Sequence, residues 1–378
     1  MGRRGHGEGS IFKRKVGGQV VGHVAMLDLG YIDGKRKRKA IYGKTRKEVS
    51  DRLDEERRKL RAGINIAGPK VTTSQWLERW LRDVAKPNVR PSTFKSYRDL
   101  LEDHVIPVVG RIPLERLSPA DVRHVMSACT ATGAAPRTVH HVRAVLRNAL
   151  RQAERDGLVQ RNAAALAEPP RIEPQEMKAF TPEQARSFQQ TIKGDPLEAL
   201  YLVTLDTGLR QGEALGLRWQ DVDLDAGTIT VRYALQRVEG KLVLVEPKSQ
   251  TSRRKVQPGA VAMRSLREHH ARQTEEQERV TWLPFGLVFT GAHGHPLDGV
   301  AVTKRFQAIL KAAGLPRMRF HDLRHSSATL LLCQGIAARV VMERLGHSNI
   351  TLTLNTYSHV IPQLRQGAAD AIDRVFGL

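Results

Sequence analysis

Between residues 166 and 179 the chain reads LAEPPRIEPQEMKA. Three prolines and no apolar periodicity leave this stretch unable to continue a helix, because each proline lacks a backbone N–H and restricts the residue before it. Helix-rich sequence flanks it on both sides. A chain interrupted in this way cannot bury its apolar residues in one core, and 378 residues are more than one ordinary core holds. A linker over 166–179 is therefore expected to separate two large domains. With 40% hydrophobic and 26% charged residues, the chain carries enough apolar surface to fold on both sides of it.

Residues 71–165 read as all helical. Thr72 and Gln75 form a capping box, and Trp76, Leu77, Trp80, Leu81 and Val84 follow at helical spacing as core. A second helix opens near Pro91-Ser92 and a third at Ser118-Pro119, with Asp121 in its first turn. A fourth runs from about Pro136 to Asp156 and stops at Gly157. Four helices of this length make a compact bundle. On the fourth, Val142, Val145, Leu146, Ala149 and Leu150 supply an apolar face, while Arg143, Arg147, Arg151 and Arg155 recur every fourth residue. A rise of 1.5 Å per residue spaces these arginines about 6 Å apart, comparable with successive phosphates along a nucleic-acid strand. The alternative is a solvated face on which Glu154 and Asp156 pair locally with the arginines.

Residues 1–70 hold 19 Lys/Arg against 8 Asp/Glu, a local net charge of +11. Half of the whole chain's excess of +22 thus sits in under a fifth of its length. Ile11 to Val16, Gln19 to Leu27 and Lys37 to Tyr42 look like short strands, with turns at Gly17-Gly18 and Asp33-Gly34. Thr45 and Glu48 then form a capping box opening a helix to about Arg61, before Gly63. The run Lys35, Arg36, Lys37, Arg38, Lys39 reads either as a solvated charged hairpin or as a contact for a polyanion.

Such a charge attracts nucleic acid or an anionic membrane. Nucleic acid is the better partner, since no apolar run approaches the roughly 18 residues of a membrane span. The start, MGRRGHGEGSIFKRK, also lacks the apolar region of a signal peptide. Cys129 and Cys333 have no partner at CxxC spacing, which points away from zinc or disulfide frameworks and toward a reducing, cytoplasmic compartment.

Beyond the break, Thr181-Pro182-Glu183-Gln184 starts a second helical region that runs to the carboxyl end. Within it, Thr228 to Tyr233, Lys241 to Glu246 and Arg254 to Gln257 read as one small antiparallel sheet. Breaking a phosphodiester without a metal requires cations on the non-bridging oxygens, a nucleophile, and an acid for the leaving oxygen. Arg210 lies in TGLRQGEALGLRW and Arg324 in HDLRH, residues 321–325. Arginine suits both places, because its planar fork binds phosphate bidentately and stays charged at any working pH. The sequence PKS containing Lys248 precedes Ser252-Arg253-Arg254, and an LGH ending in His347 precedes Tyr357 by ten residues.

In this order these motifs resemble the tyrosine recombinases, in particular the integrases of temperate phages and integrative elements. The likeness covers about 176–378, and the helical segment before it looks like that family's core-binding domain. The implied fold is multidomain and mainly α with small β-sheets. An amino-terminal three-stranded sheet plus helix (1–64) would bind arm-type DNA, 71–165 would be the helical core-binding domain, and 180–378 the mixed α+β catalytic domain. The resemblance implies that Arg210 and Arg324 clamp the scissile phosphate and that Lys248 is the general acid. His321 would be base or hydrogen-bond partner, His347 a phosphate donor and Tyr357 the nucleophile. Tyr357 is the only tyrosine after HDLRH. Glu213 is read as structural, holding an active-site arginine, and His325 as orienting the site. Lys241 and Lys255, on the same expected sheet, are the alternatives to Lys248.

The family further implies no metal, ATP or other cofactor, because the phosphotyrosine link conserves the bond energy. Its partners would be double-stranded DNA at core and arm sites, three further copies in a homotetramer on DNA, an excision factor and a host DNA-bending protein. Three other classes fit less well. A regulator with a dead active site would need a broken catalytic set, and a metal-dependent nuclease would need a carboxylate cluster. A type IB topoisomerase shares the tyrosine chemistry but not the domain order. A zinc site on His321 and His325 has the i, i+4 spacing but no clear third ligand.

Overall fold

The computed structural model describes residues 11–32, 35–61, 71–173, 177–238, 240–246, 253–346 and 376. The chain divides into two units, Met1–Pro174 and Gln175–Leu378.

In the first unit, β1 (Ile11–Val16), β2 (Gln19–Ile32) and β3 (Lys35–Gly43) form an antiparallel sheet in that order. Gly17 and Gly18 supply the positive φ values, 57° and 84°, that the first turn requires. The turn expected at Asp33-Gly34 lies outside the described residues. β2 outruns its expected end at Leu27 because an irregularity between Asp28 and Tyr31 lets pairing resume with Arg36 and Lys35. Helix α1 (Arg46–Arg61) packs Val49 and Leu53 against Ala25, Leu27 and Ile41, a small core. Its cap is shifted. Thr45 Oγ1 accepts from the Glu48 N–H at 3.1 Å, but the Glu48 carboxylate accepts from the Lys44 N–H, one residue before the expected position.

Helices α2 (Thr73–Trp80), α3 (Lys86–Asn88), α4 (Pro91–Leu100) and α5 (Ile106–Val109) follow. The first and second expected helices are composites, since π turns at Leu81–Ala85 and Leu101–Val105 join α2 to α3 and α4 to α5. The Lys86 N–H reaches the Leu81 carbonyl and the Ile106 N–H the Leu101 carbonyl. The next residue is a proline in each case, Pro87 and Pro107. Its ring would collide with the carbonyl four residues back, and the wider π turn relieves that clash. Helices α6 (Pro119–Ala131), α7 (Pro136–Arg155) and α8 (Ala163–Leu166) complete the bundle. Trp76, Leu77, Trp80, Leu101 and the Val142, Leu146 and Leu150 face of α7 share one core. The indole N–H of Trp76 donates to the Ala149 carbonyl at 3.1 Å.

The second unit begins with α9 (Pro182–Thr191), on the expected Thr181/Gln184 capping box, then α10 (Glu198–Thr207) and α11 (Gln211–Leu215). The strands form two sheets rather than the single one expected. β4 (Val222–Asp223), β5 (Thr228–Val231) and β8 (Arg254–Val256) make one, and β6 (Ala234–Val238) pairs with β7 (Lys241–Val245) as a separate hairpin. Pairing breaks at Arg232 and Tyr233, where Arg232 pairs with Asp221 and the Arg218 guanidinium stacks 4.2 Å from the Tyr233 ring. The hairpin then lies on the glycine face of α11. A Cβ added at Gly212 would come within 2.9 Å of the Leu235 carbonyl oxygen, and one at Gly216 within 2.6 Å of the Leu235 nitrogen.

Helices α12 (Ala260–Arg279), α13 (Gly299–Ala312), α14 (Asp322–Cys333) and α15 (Ala338–Leu345) follow. Phe188, Tyr201, Phe306 and Phe320 stack edge-on and tilted in the core they share with α10 and α12. Among the described residues, no helix is long and apolar enough to cross a membrane.

Candidate active site

Helix α10 stops at Gly208, whose φ of 64° is left-handed. Glycine is also required by space, because a Cβ there would lie 2.2 Å from Leu345 Cδ2. The turn delivers Arg210 to the start of α11. There the Arg210 backbone N–H donates to Glu213 Oε2 at 3.0 Å and Nη1 donates to Oε1 at 2.6 Å. Nη2 donates to the Gly346 carbonyl at 3.4 Å. The Arg210 side chain remains 39% exposed while these hydrogen bonds hold its guanidinium.

Glu213 is buried and carries a second arginine, since Arg254 Nη2 donates to its Oε2 at 3.0 Å. Burial alone would push the Glu213 carboxyl up, but Arg254 and then Arg210 outweigh it and hold it below the ordinary carboxylate value. Arg254 Nε also donates to the Arg344 carbonyl at 2.8 Å. The Arg344 side chain donates elsewhere, through Nη1 to the Gln257 carbonyl at 2.9 Å and through Nη2 to Asp206.

Arg324 arrives from a separate segment. It lies in the first turn of α14, is buried, and donates through Nη1 to the Gly208 carbonyl at 2.7 Å. The structure therefore brings Arg324 beneath the turn that carries Arg210, although 113 positions part them in the sequence. His321, at the start of α14, meets His325 edge-on with ring centroids 5.1 Å apart. Its imidazole is pushed down to about 4, first by desolvation, then by the neighbouring His325 and Arg324, although by surface area the residue is exposed, which weakens the desolvation. His325 is lowered in the same direction, chiefly by burial. Both are thus favoured as neutral imidazoles near neutrality. Among the described residues no group of three metal-ligating side chains occurs.

Lys248, His347 and Tyr357 lie outside the described residues, so no position is assigned to them. The described chain ends, apart from residue 376, at Gly346, directly before His347. Lys241 and Lys255 sit on different sheets, on β7 and β8. Arg254 was not singled out by sequence. Its signal was the alternation of β8, where it shares a phase with buried Val256 although it is charged.

The expected polyanion contacts are heterogeneous. Lys35 opens β3, Arg36 Nε donates to Asp28 at 2.9 Å, and Lys39 Nζ donates to Glu56 on α1 at 2.7 Å. Lys37 and Arg38 are exposed. The outer face of the sheet also exposes Phe12, Met26 and Tyr42, with the Arg14 guanidinium 5.3 Å from the Tyr42 ring. On α7, Arg147, Arg151 and Arg155 are exposed, and among the described residues neither Glu154 nor Asp156 pairs with them; Asp156 accepts from Gln152 instead. Arg143 differs. It is half-buried and donates to the carbonyls of Ala167 at 2.5 Å and Ala165 at 3.2 Å. Desolvation, then Arg147, lowers its proton affinity.

Two arginines from distant segments, one half-exposed and one buried, thus meet at a single turn of a mainly helical chain. Residues 178–363 match the phage integrase family, and residues 72–128 match the phage integrase N-terminal SAM-like domain. A tyrosine recombinase XerC of Mesorhizobium japonicum is 31% identical over 293 residues, spanning 73% of this chain and 88% of its own length. A tyrosine recombinase XerC-like protein of Caldanaerobacter subterraneus is 29% identical over 366 residues, 91% of this chain and 93% of its own. Among solved structures, the Tn1549 transposon integrase in complex with a circular intermediate DNA superposes with a TM-score of 0.67 at 24% identity, covering 76% of this chain and 95% of that one. A lambda integrase tetramer bound to a Holliday junction gives 0.57 at 17% identity, covering 92% and 94%. The chain belongs to the phage integrase family and is a tyrosine-type site-specific DNA recombinase.

Proposed function

We propose that Arg210 and Arg324 clamp the scissile phosphate while Tyr357 attacks it. The observation that carries this reading is the hydrogen bond from Arg324 to the Gly208 carbonyl, which sets both guanidinium groups about one turn. Tyr357 gives up its phenolic proton to the site, with His321 the candidate acceptor; its Oη displaces the 5′-oxygen from phosphorus, leaving a 3′-phosphotyrosine, and the departing oxygen takes a proton from Lys248. A 5′-hydroxyl then attacks the phosphotyrosine, releases Tyr357 and reseals the strand. The arginines stabilise the extra negative charge on the phosphorane oxygens. Neutral His321 serves as hydrogen-bond partner or base near that phosphate, and His347 as a further donor.

The chain's domains in this reading are 1–64 for arm-type DNA, 71–165 for the core site and 180–378 for catalysis, joined by a linker over 166–179. Support comes from the exposed Arg147 and Arg151 on α7 and from the aromatic and basic outer face of the amino-terminal sheet. Four copies would act on two duplexes in the cytoplasm, integrating and excising a phage or mobile element with an excision factor and a host DNA-bending protein. The test is a nicked suicide core site. Tyr357→Phe is expected to bind it with near-normal affinity and form no covalent adduct; an adduct with the Phe variant defeats the nucleophile assignment.

A further inference from the structure

We infer that Arg254 is a positioning residue for strand cleavage, its guanidinium holding the phosphate clamp at Arg210 and the carboxyl end of α15 in one geometry. The inference rests on the proposed roles of Arg210 and Tyr357.

Arg254 lies opposite Val231 in the β5–β8 register, two residues before Val256, which pairs with Ile229. Val231, Ile229 and Val256 are all buried, so this face of the sheet packs apolar side chains. A charge retained there, with only 7% of its side chain exposed, is costly unless its partners are well placed. Among the described residues, two of its partners lie in different directions. Nη2 meets Glu213 Oε2, while the other oxygen of that carboxylate holds Arg210 Nη1. Nε meets the carbonyl of Arg344, and Arg210 Nη2 meets that of Gly346 two residues on.

The last carbonyls of a helix have no partners within it and carry its negative end. At α15 two arginines take them, and both arginines share Glu213. The chain leaves Gly346 directly into His347 and on to Tyr357. A displacement of the α15 end is thereby tied, through Arg254 and Glu213, to a displacement of the clamp. Arginine is required because one planar fork must serve two directions at once, which a single ammonium on a flexible stem does not do.

The test measures three quantities on the full chain: single-turnover adduct formation on the suicide core site, non-covalent affinity in the Tyr357→Phe background, and melting temperature. Arg254→Gln is expected to keep affinity within about threefold and to slow adduct formation at saturating protein by about tenfold or more, the scale of a small misplacement of reacting groups. Arg254→Lys, which keeps a charge toward Glu213 but loses the second anchor, is expected to fall between. Adding Glu213→Gln to either variant should slow the reaction less than the product of the single effects, because the two act through one path. A lower melting temperature with an unchanged adduct rate for the folded protein, or multiplicative effects with Glu213→Gln, would show a merely structural arginine and overturn the inference. If Arg254→Gln does not fold, Arg254→Lys decides, and a wild-type rate for it overturns the inference. An adduct from Tyr357→Phe alone would instead overturn the nucleophile assignment, and the Arg254 rate ratio would still decide this question.

Discussion

Two groups of arginines sit in this chain under opposite conditions. On α7, Arg147, Arg151 and Arg155 stand in solvent on a helix whose other face is core. In the second unit, Arg254 and Arg324 are buried, and Arg210 is fixed along one edge. The first group supplies charge with little geometry; the second supplies geometry, each side chain being held by hydrogen bonds to the turn, the carboxylate or the helix end around it. The contrast suggests a division of labour. In the proposed function, exposed arginines on a regular helix would set affinity and its dependence on salt, whereas buried, cross-linked arginines would set the rate of a reaction at a fixed point. Arg143 tests the boundary, because it belongs to the α7 stripe by spacing and to the second kind by environment.

The largest expected effect comes from the buried group. Arg324→Ala removes a charge-assisted donor from the Gly208 turn as well as from the phosphate, and adduct formation should fall by about 10²–10³. Core-site affinity should change far less. An equal loss in both, at low and high salt alike, would mean that the two groups of arginines do the same work and would dissolve the comparison.

The stripe should behave in the reverse manner. Replacing Arg147 and Arg151 by Gln is expected to lower the slope of log affinity against log salt by roughly one unit for each phosphate no longer neutralised. Adduct formation at saturating protein should be unchanged. Arg143→Gln should leave that slope nearly alone and instead lower stability by about 1 kcal/mol, through loss of its bonds to the Ala165 and Ala167 carbonyls. Titrations at several salt concentrations and a thermal melt separate these outcomes. If Arg143→Gln reduces the salt slope as Arg147→Gln does, its hydrogen bonds to the backbone are not what fixes its role.

The smallest effect concerns pH. His321 is lowered to about 4 from 6.5 in the folded chain. Between about pH 6.5 and 4 the unfolded chain therefore binds a proton that the folded chain refuses, so stability falls as pH drops through that window. His321→Gln should flatten the dependence of melting temperature on pH there, only modestly, because the residue is exposed and solvent screens the shift. A steeper dependence in the variant would mean that the folded protein favours the charged imidazole.

Much of the local structure was legible in the sequence because it depends on near neighbours. The Thr72/Gln75, Ser118/Asp121 and Thr181/Gln184 helix starts and the apolar face of α7 follow from spacings of three or four residues. So did the proline pairings with helix starts, although not the π turns, which depend on how a proline ring meets the turn before it. The sheets were misread for a similar reason. Thr228 to Tyr233 has the composition of one strand, but the Arg218–Tyr233 stacking and the Arg232–Asp221 ion pair break it, and both partners come from an earlier turn.

At the site, the sequence by itself determined which residue types are present and in what order, which was enough to mark Arg210, Arg324 and the HDLRH segment. Only the tertiary structure decided that Arg324 lies beneath the Gly208 turn, that Glu213 serves two arginines, and that Arg254 belongs with them. The physical reason is that a buried charge is defined by partners brought from distant segments. Arg254 and Glu213 stand 41 residues apart, and Arg254 and the Arg344 carbonyl 90. No periodicity encodes those separations; they exist only once α10, α14, α15 and β8 have packed and excluded water from the space between them.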